Sequence, residues 1–269
     1  MKRYLLIFAA FIGFTNHMFS QHQFVFESEN LLKSDTVLVF TPENYNANNS
    51  LTYPLVYLLH GWSGNYHQWD NIIDCQTYAD KYGFIIVCPD GLYDSWYLNS
   101  PVENENQYED FFVDELWPFI LKDFKVEKDN IFITGLSMGG HGALYLFEKH
   151  PLFFKSAGSL SGLLDLKLWQ NHYGINKVLG LNNSTDDKEI LNEYSVIGNI
   201  DKIKSSRKAI ILSCGTEDPF YKINTSFVEE CHEKGIEITF FEKPGNHNGD
   251  FWGSSIDNHF KFFKKLIIK

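Results

Sequence analysis

Positive charge is scarce in this sequence: 23 Lys and Arg stand against 34 Asp and Glu, a formal net charge of −11. An acidic chain has no bulk electrostatic attraction for nucleic acid or anionic membrane surfaces, which excludes both from the expected partners. Runs long enough to span a bilayer are missing too; the apolar stretch at residues 4–14 is too short for that. No internal repeat, low-complexity tract or interdomain linker is present. Cysteine is limited to Cys75, Cys88, Cys214 and Cys231, and none has the spacing of a metal site. Four cysteines allow three pairings. Cys88 and Cys214 end apolar, strand-like runs, where buried free thiols are common, so one disulfide and none both stay open.

The amino terminus has the layout of an export signal. Lys2 and Arg3 form a basic start, residues 4–14 an apolar core, and residues 15–20 a polar exit. Cleavage after Ser20 would leave Gln21 first, although Met18 stands where a small residue is usual, and would take the net charge from −11 to −13. No cysteine follows the apolar run to carry a lipid anchor. The expected product is exported, to the periplasm, the cell surface or the medium, and permits disulfides.

Residues 21–269 are expected to form one domain, in which strands alternate with helices. Residues 55–59 are apolar almost without a break, the pattern of a strand buried on both faces of a parallel sheet. Strands are expected at residues 36–40, 84–87, 131–134, 156–160, 209–213 and 237–241. Helices are expected at residues 69–82, 109–123, 138–149, 219–234 and 251–268. Residues 163–206 lack a period and are expected to fold as a small, cap-like insertion. This alternation predicts an α/β fold, a mostly parallel central sheet with helices on both faces. Ligands of such sheets bind at the carboxyl ends of the strands.

The chemistry-bearing residues fall there. Gly135-Leu136-Ser137-Met138-Gly139 joins a strand to a helix, the context of a nucleophile elbow. A sharp turn exposes the hydroxyl, glycines permit the close packing, and the helix start favours a developing oxyanion. Asp218 follows the strand at residues 209–213 and can orient a base, with Glu217 the nearest rival. His247 follows the strand at residues 237–241 in a glycine-containing loop. His141, His150, His232 and His259 lie on helices and are read as structural. The order Ser137, Asp218, His247 is that of a serine hydrolase triad. The backbone N–H groups of Met138 and Trp62 are the expected oxyanion donors, Gly61 allows the tight turn, and His60 is read as a brace for that loop.

Four segments carry a resemblance: Leu58-Leu59-His60-Gly61, Pro89-Asp90-Gly91 with Ser95-Trp96-Tyr97, Gly135-Leu136-Ser137-Met138-Gly139-Gly140, and Gly245-Asn246-His247. In this order they resemble the α/β-hydrolase esterases that include esterase D, S-formylglutathione hydrolase, feruloyl and acetyl xylan esterases and mycolyltransferases. The resemblance implies an α/β-hydrolase fold and ester hydrolysis through Ser137, Asp218 and His247 without metal or organic cofactor. It also implies a substrate-side role for Trp96, for which a core anchor of the long loop is the alternative, for Tyr97, and for Trp252, with Phe251 beside it. Export argues against a cytosolic thioester substrate, and no feature suggests a long acyl groove. The expected substrates are acetyl or feruloyl esters of plant polysaccharide; a broad short-chain carboxylesterase and a non-catalytic carbohydrate-binding protein are the alternatives. Residues 91–107 and 163–206 have no readable pattern, so acyl and alcohol groups stay open.

Overall fold

A computed structural model describes residues 21–267; the expected signal segment, residues 1–20, lies outside the described residues. Eight strands make one sheet: β1 (Gln21–Ser28), β2 (Lys33–Phe40), β3 (Tyr53–Leu59), β4 (Ile85–Pro89), β5 (Val126–Gly135), β6 (Ser156–Leu160), β7 (Ile210–Gly215) and β8 (Ile238–Lys243). Their order is β1-β2-β4-β3-β5-β6-β7-β8. β1 and β2 form an antiparallel hairpin at one edge, β2 pairs antiparallel with β4, and every later pair is parallel.

All seven residues of β3 are buried. Leu55, Tyr57 and Leu59 face one apolar cluster, while Val56 and Leu58 face a second on the opposite side of the sheet. That division explains the unbroken apolar run, because neighbouring side chains alternate between two cores rather than between core and water.

The helices that position the site are α1 (Gln68–Ile73), α2 (Cys75–Tyr82), α3 (Trp117–Asp123), α4 (Met138–Lys149), α5 (Tyr221–Lys234) and α6 (Gly249–Ile267). The single helix expected over residues 69–82 is two. Asp74 adopts φ 50°, ends α1, and caps α2 by accepting the Thr77 N–H. Ahead of α3 the chain makes a π-helical turn at Phe111–Leu116, so the regular helix expected over residues 109–123 is interrupted. Strand β1 is an addition; its first residues alternate exposed and half-buried and present little apolar signal. Residues 163–206 hold short helices, Ile175–Val178, Asp187–Tyr194 and Ile200–Ser206, between irregular turns.

The four cysteines are buried free thiols; the Cys75 and Cys88 sulfurs lie 3.9 Å apart. Among the described residues no helix is long and apolar enough to cross a membrane.

Candidate active site

Ser137 sits between β5 and α4 with φ 53° and ψ −116°, a backbone conformation that side chains other than glycine rarely adopt. Two hydrogen bonds lock the turn: Leu136 N–H donates to Leu59 O at 3.1 Å and Ser137 N–H to Leu160 O at 2.9 Å. The flanking glycines are demanded by backbone contact. A Cβ on Gly139 would lie 2.2 Å from Leu59 O, and one on Gly135 would lie 2.4 Å from Gly139 O. Only glycine lets the helix start so close to the ends of β3 and β5. The Ser137 side chain makes no cap bond to its own helix.

Its hydroxyl instead lies 2.9 Å from His247 Nε2. His247 Nδ1 lies 2.8 Å from Asp218 Oδ2. A carboxylate only accepts, so the imidazole carries its proton on Nδ1, and Nε2 is free to accept from the Ser137 hydroxyl. Asp218 is held in turn by the Phe220 N–H, 2.8 Å from Oδ1, and its side chain is wholly buried. Glu217 is exposed and takes no part.

Two loops bring acid and base together. Glu217 N–H donates to Gly245 O at 3.0 Å, and a Cβ on Gly215 would lie 2.2 Å from that same oxygen. Asn246 Oδ1 accepts the His247 N–H, and Asn248 Oδ1 accepts from Phe251 at the start of α6. These bonds order the backbone of the loop that carries His247.

The rings of the helix-borne histidines lie away from Ser137. His141 Nε2 meets Tyr194 O at 2.9 Å, and burial lowers its pKa to about 4. His259 lies between the Thr134 and Ser213 hydroxyls, and burial lowers its pKa to about 3. His150 meets Glu109, and His232 is exposed.

Gly61 runs directly against the elbow: a Cβ there would lie 3.4 Å from Ser137 Cβ and 2.7 Å from Leu136 Cδ1. His60 is a brace. Its Nε2 accepts the Gly91 N–H at 2.6 Å, and its Nδ1 meets Gly61 O at 2.8 Å. Both bonds hold together when the proton is on Nδ1. Among the described residues neither the Trp62 N–H nor the Met138 N–H has a hydrogen-bond acceptor. Two free donors beside the hydroxyl are what a tetrahedral oxyanion requires.

Trp96 and Tyr97 need correction as substrate-side residues. Trp96 is 1% exposed and donates its indole N–H to Tyr173 O; Tyr97 is fully buried. The Tyr97 ring fills the space over Gly91 and Gly142, where a Cβ would lie 2.2 and 2.3 Å from it, and its hydroxyl donates to His60 O. Both residues anchor a long loop in the core. Trp252 is likewise buried: its indole N–H donates to Ser161 Oγ, and its ring meets the His247 ring edge-on at 5.0 Å. It backs the imidazole rather than facing solvent.

Other aromatics surround the site. Trp62 packs between Tyr93 at 5.1 Å and Tyr173 at 5.4 Å. Trp169 meets Phe220 at 5.1 Å, and Phe220 meets His247 at 4.8 Å. Trp169 and Tyr173 come from the patternless segment 163–206. Their nearness to one another in a segment without a period was the available signal. Among the described residues no group of three His, Cys, Asp or Glu side chains is placed to hold a metal ion.

The Esterase family model matches residues 28–262. An acetyl esterase of Caldicellulosiruptor saccharolyticus is 28% identical over 91% of this chain and 98% of its own. An endo-1,4-beta-xylanase/feruloyl esterase of Xylanibacter ruminicola is 32% identical over 52% of this chain and 21% of its own. The structure of an S-formylglutathione hydrolase from Agrobacterium tumefaciens superposes with a TM-score of 0.80 at 22% identity, covering 93% of this chain and 97% of that one. The chain belongs to the Esterase family, has the α/β-hydrolase fold, and is a carboxylic ester hydrolase.

Proposed function

We propose that the protein is an exported serine esterase that removes acetyl or feruloyl groups from plant polysaccharide through an acyl-enzyme on Ser137. The observation that carries the mechanism is the hydrogen-bonded chain from Ser137 Oγ through His247 to Asp218, 2.9 and 2.8 Å long. His247 Nε2 takes the hydroxyl proton as Ser137 attacks the ester carbonyl. The oxyanion is received by the N–H groups of Trp62 and Met138. The alcohol departs with the proton held on His247. Water, deprotonated by the same nitrogen, then releases the acid. Asp218 keeps the proton on Nδ1 and stabilises the imidazolium that forms in each step.

Substrate class is supported by the rings around the site. Tyr93 is exposed, while Trp62, Trp169 and Tyr173 are half-buried, so their faces and edges suit a sugar or phenolic ring. The names of the acetyl esterase and feruloyl esterase relatives point the same way. The amino-terminal basic and apolar segments support export. Turnover of acetylated xylan, methyl ferulate and p-nitrophenyl butyrate tests the reading. Higher kcat/KM on the first or second substrate is expected; a strong preference for the butyrate ester contradicts it and leaves a broad short-chain carboxylesterase.

A further inference from the structure

Two consecutive peptide N–H groups, those of Gly61 and Trp62, lie in the loop beside Ser137, and only one is free. The Gly61 N–H donates to Gln68 Oε1 at 2.8 Å. The Trp62 N–H has no acceptor among the described residues. Gln68 is the first residue of α1, and its position is set from below: Trp69, fully buried beside it, donates its indole N–H to Leu59 O at 2.9 Å. That oxygen also accepts from Leu136 in the nucleophile turn, so one carbonyl ties the Gln68 helix to the elbow.

Peptide planarity converts these bonds into orientation. The C=O and N–H of a trans peptide point in opposite directions. In the peptide joining His60 and Gly61, the His60 oxygen accepts from the Tyr97 hydroxyl and the Gly61 N–H donates to Gln68, so both ends are held. In the next peptide, the Gly61 oxygen accepts from His60 Nδ1 and from the Gly64 N–H, which fixes the opposite end, the Trp62 N–H. A Cβ on Gly64 would lie 2.5 Å from Gln68 Oε1, so the amide tip fills the bend of the loop and leaves it no room to roll.

We propose that Gln68 is a positioning residue for acyl transfer: by holding the Gly61 N–H, it fixes the loop with the Trp62 N–H as its oxyanion donor. This assignment rests on the proposed acyl-enzyme mechanism at Ser137. Gln68 acts through Gly61, with no hydrogen bond to Ser137 or His247 among the described residues, so its loss should spare ground-state binding. The loss should fall on the tetrahedral state, where donor placement matters most.

The test compares Gln68→Met, which keeps the length but removes the acceptor, with Gln68→Glu, which keeps an oxygen on the Gly61 N–H. Steady-state kinetics on p-nitrophenyl acetate, the affinity for phenylboronic acid (which forms a tetrahedral adduct with a serine) and thermal midpoints are measured for each. In Gln68→Met, kcat is expected to fall about 10- to 100-fold. Boronate affinity falls in parallel, KM moves less than about 2-fold, the pH profile keeps its shape, and Gln68→Glu retains the higher kcat. Unchanged kcat and boronate affinity in Gln68→Met overturn the assignment, as does a Gln68→Glu no better than Gln68→Met. A wild type that neither hydrolyses the ester nor binds the boronate overturns the reading of the site, and the assignment with it.

Discussion

His247, His141 and His259 place the same side chain in three situations, and hydrogen-bond reach separates them. Only His247 presents a ring nitrogen to Ser137. His259, fully buried on α6, lies between the Thr134 and Ser213 hydroxyls, and burial holds its pKa at about 3. The unfolded chain therefore binds this proton more tightly than the folded one. The stability tied to neutral His259 is intact above about pH 6.5 and is lost as pH falls towards 3, at about 1.4 kcal/mol per pH unit. His141 adds a second loss of the same sign, ending near its pKa of about 4. The buried carboxyls of Asp35 and Glu148 oppose it, because burial raises their proton affinity in the folded state. Urea unfolding of wild type and His259→Gln from pH 7 to pH 4 isolates one term. The stability difference between the two should shift towards the variant as pH falls, and a pH-independent difference would exclude the effect.

At the scale of elements, the glycine-framed turn shows what the sequence makes legible and what it does not. Gly135 and Gly139, which frame Ser137, were readable because backbone oxygens of β3 and α4 leave no room for a Cβ there, and that requirement is local. Gly139→Ala would place its Cβ 2.2 Å from Leu59 O and should cost about 3 kcal/mol or more, seen as a lowered urea midpoint. A midpoint equal to wild type would mean the turn can open. Gln68 was not legible, because a polar residue at a helix start looks solvated until the fold lays the loop of residues 61–64 over it. Trp96 and Tyr97 were legible as a motif, but their roles depended on distant partners: Gly91 and Gly142 meet over the Tyr97 ring, and Tyr173 O accepts the Trp96 indole N–H. Strand β1 escaped because its amphipathic signal is weak and its partner β2 supplies the pairing. Residues 163–206 offered no period, yet they deliver Trp169 and Tyr173 to the site. If that contact selects ring-bearing substrates, Tyr173→Ala raises KM for methyl ferulate about 10-fold, from the loss of one aromatic contact, and leaves p-nitrophenyl acetate nearly unchanged. Equal effects on both esters would assign Tyr173 to loop stability instead.

For the whole molecule, the sheet decides where chemistry can occur. β5, β7 and β8 run parallel and end on the same edge, so residues 137, 218 and 247, remote in sequence, converge there. The antiparallel hairpin of β1 and β2 extends the opposite edge and leaves that convergence untouched. The chain's net charge of −11 supports neutral esters as the proposed substrates. The proposed function stands on acylation of Ser137. Rapid mixing with p-nitrophenyl acetate measures it most directly. Wild type should release a burst of p-nitrophenol of about one equivalent per chain, with the acetyl group recovered on the Ser137 peptide by mass spectrometry, and Ser137→Ala should show neither. A burst of equal size in both proteins, or an acetyl group carried on another residue, would contradict the account.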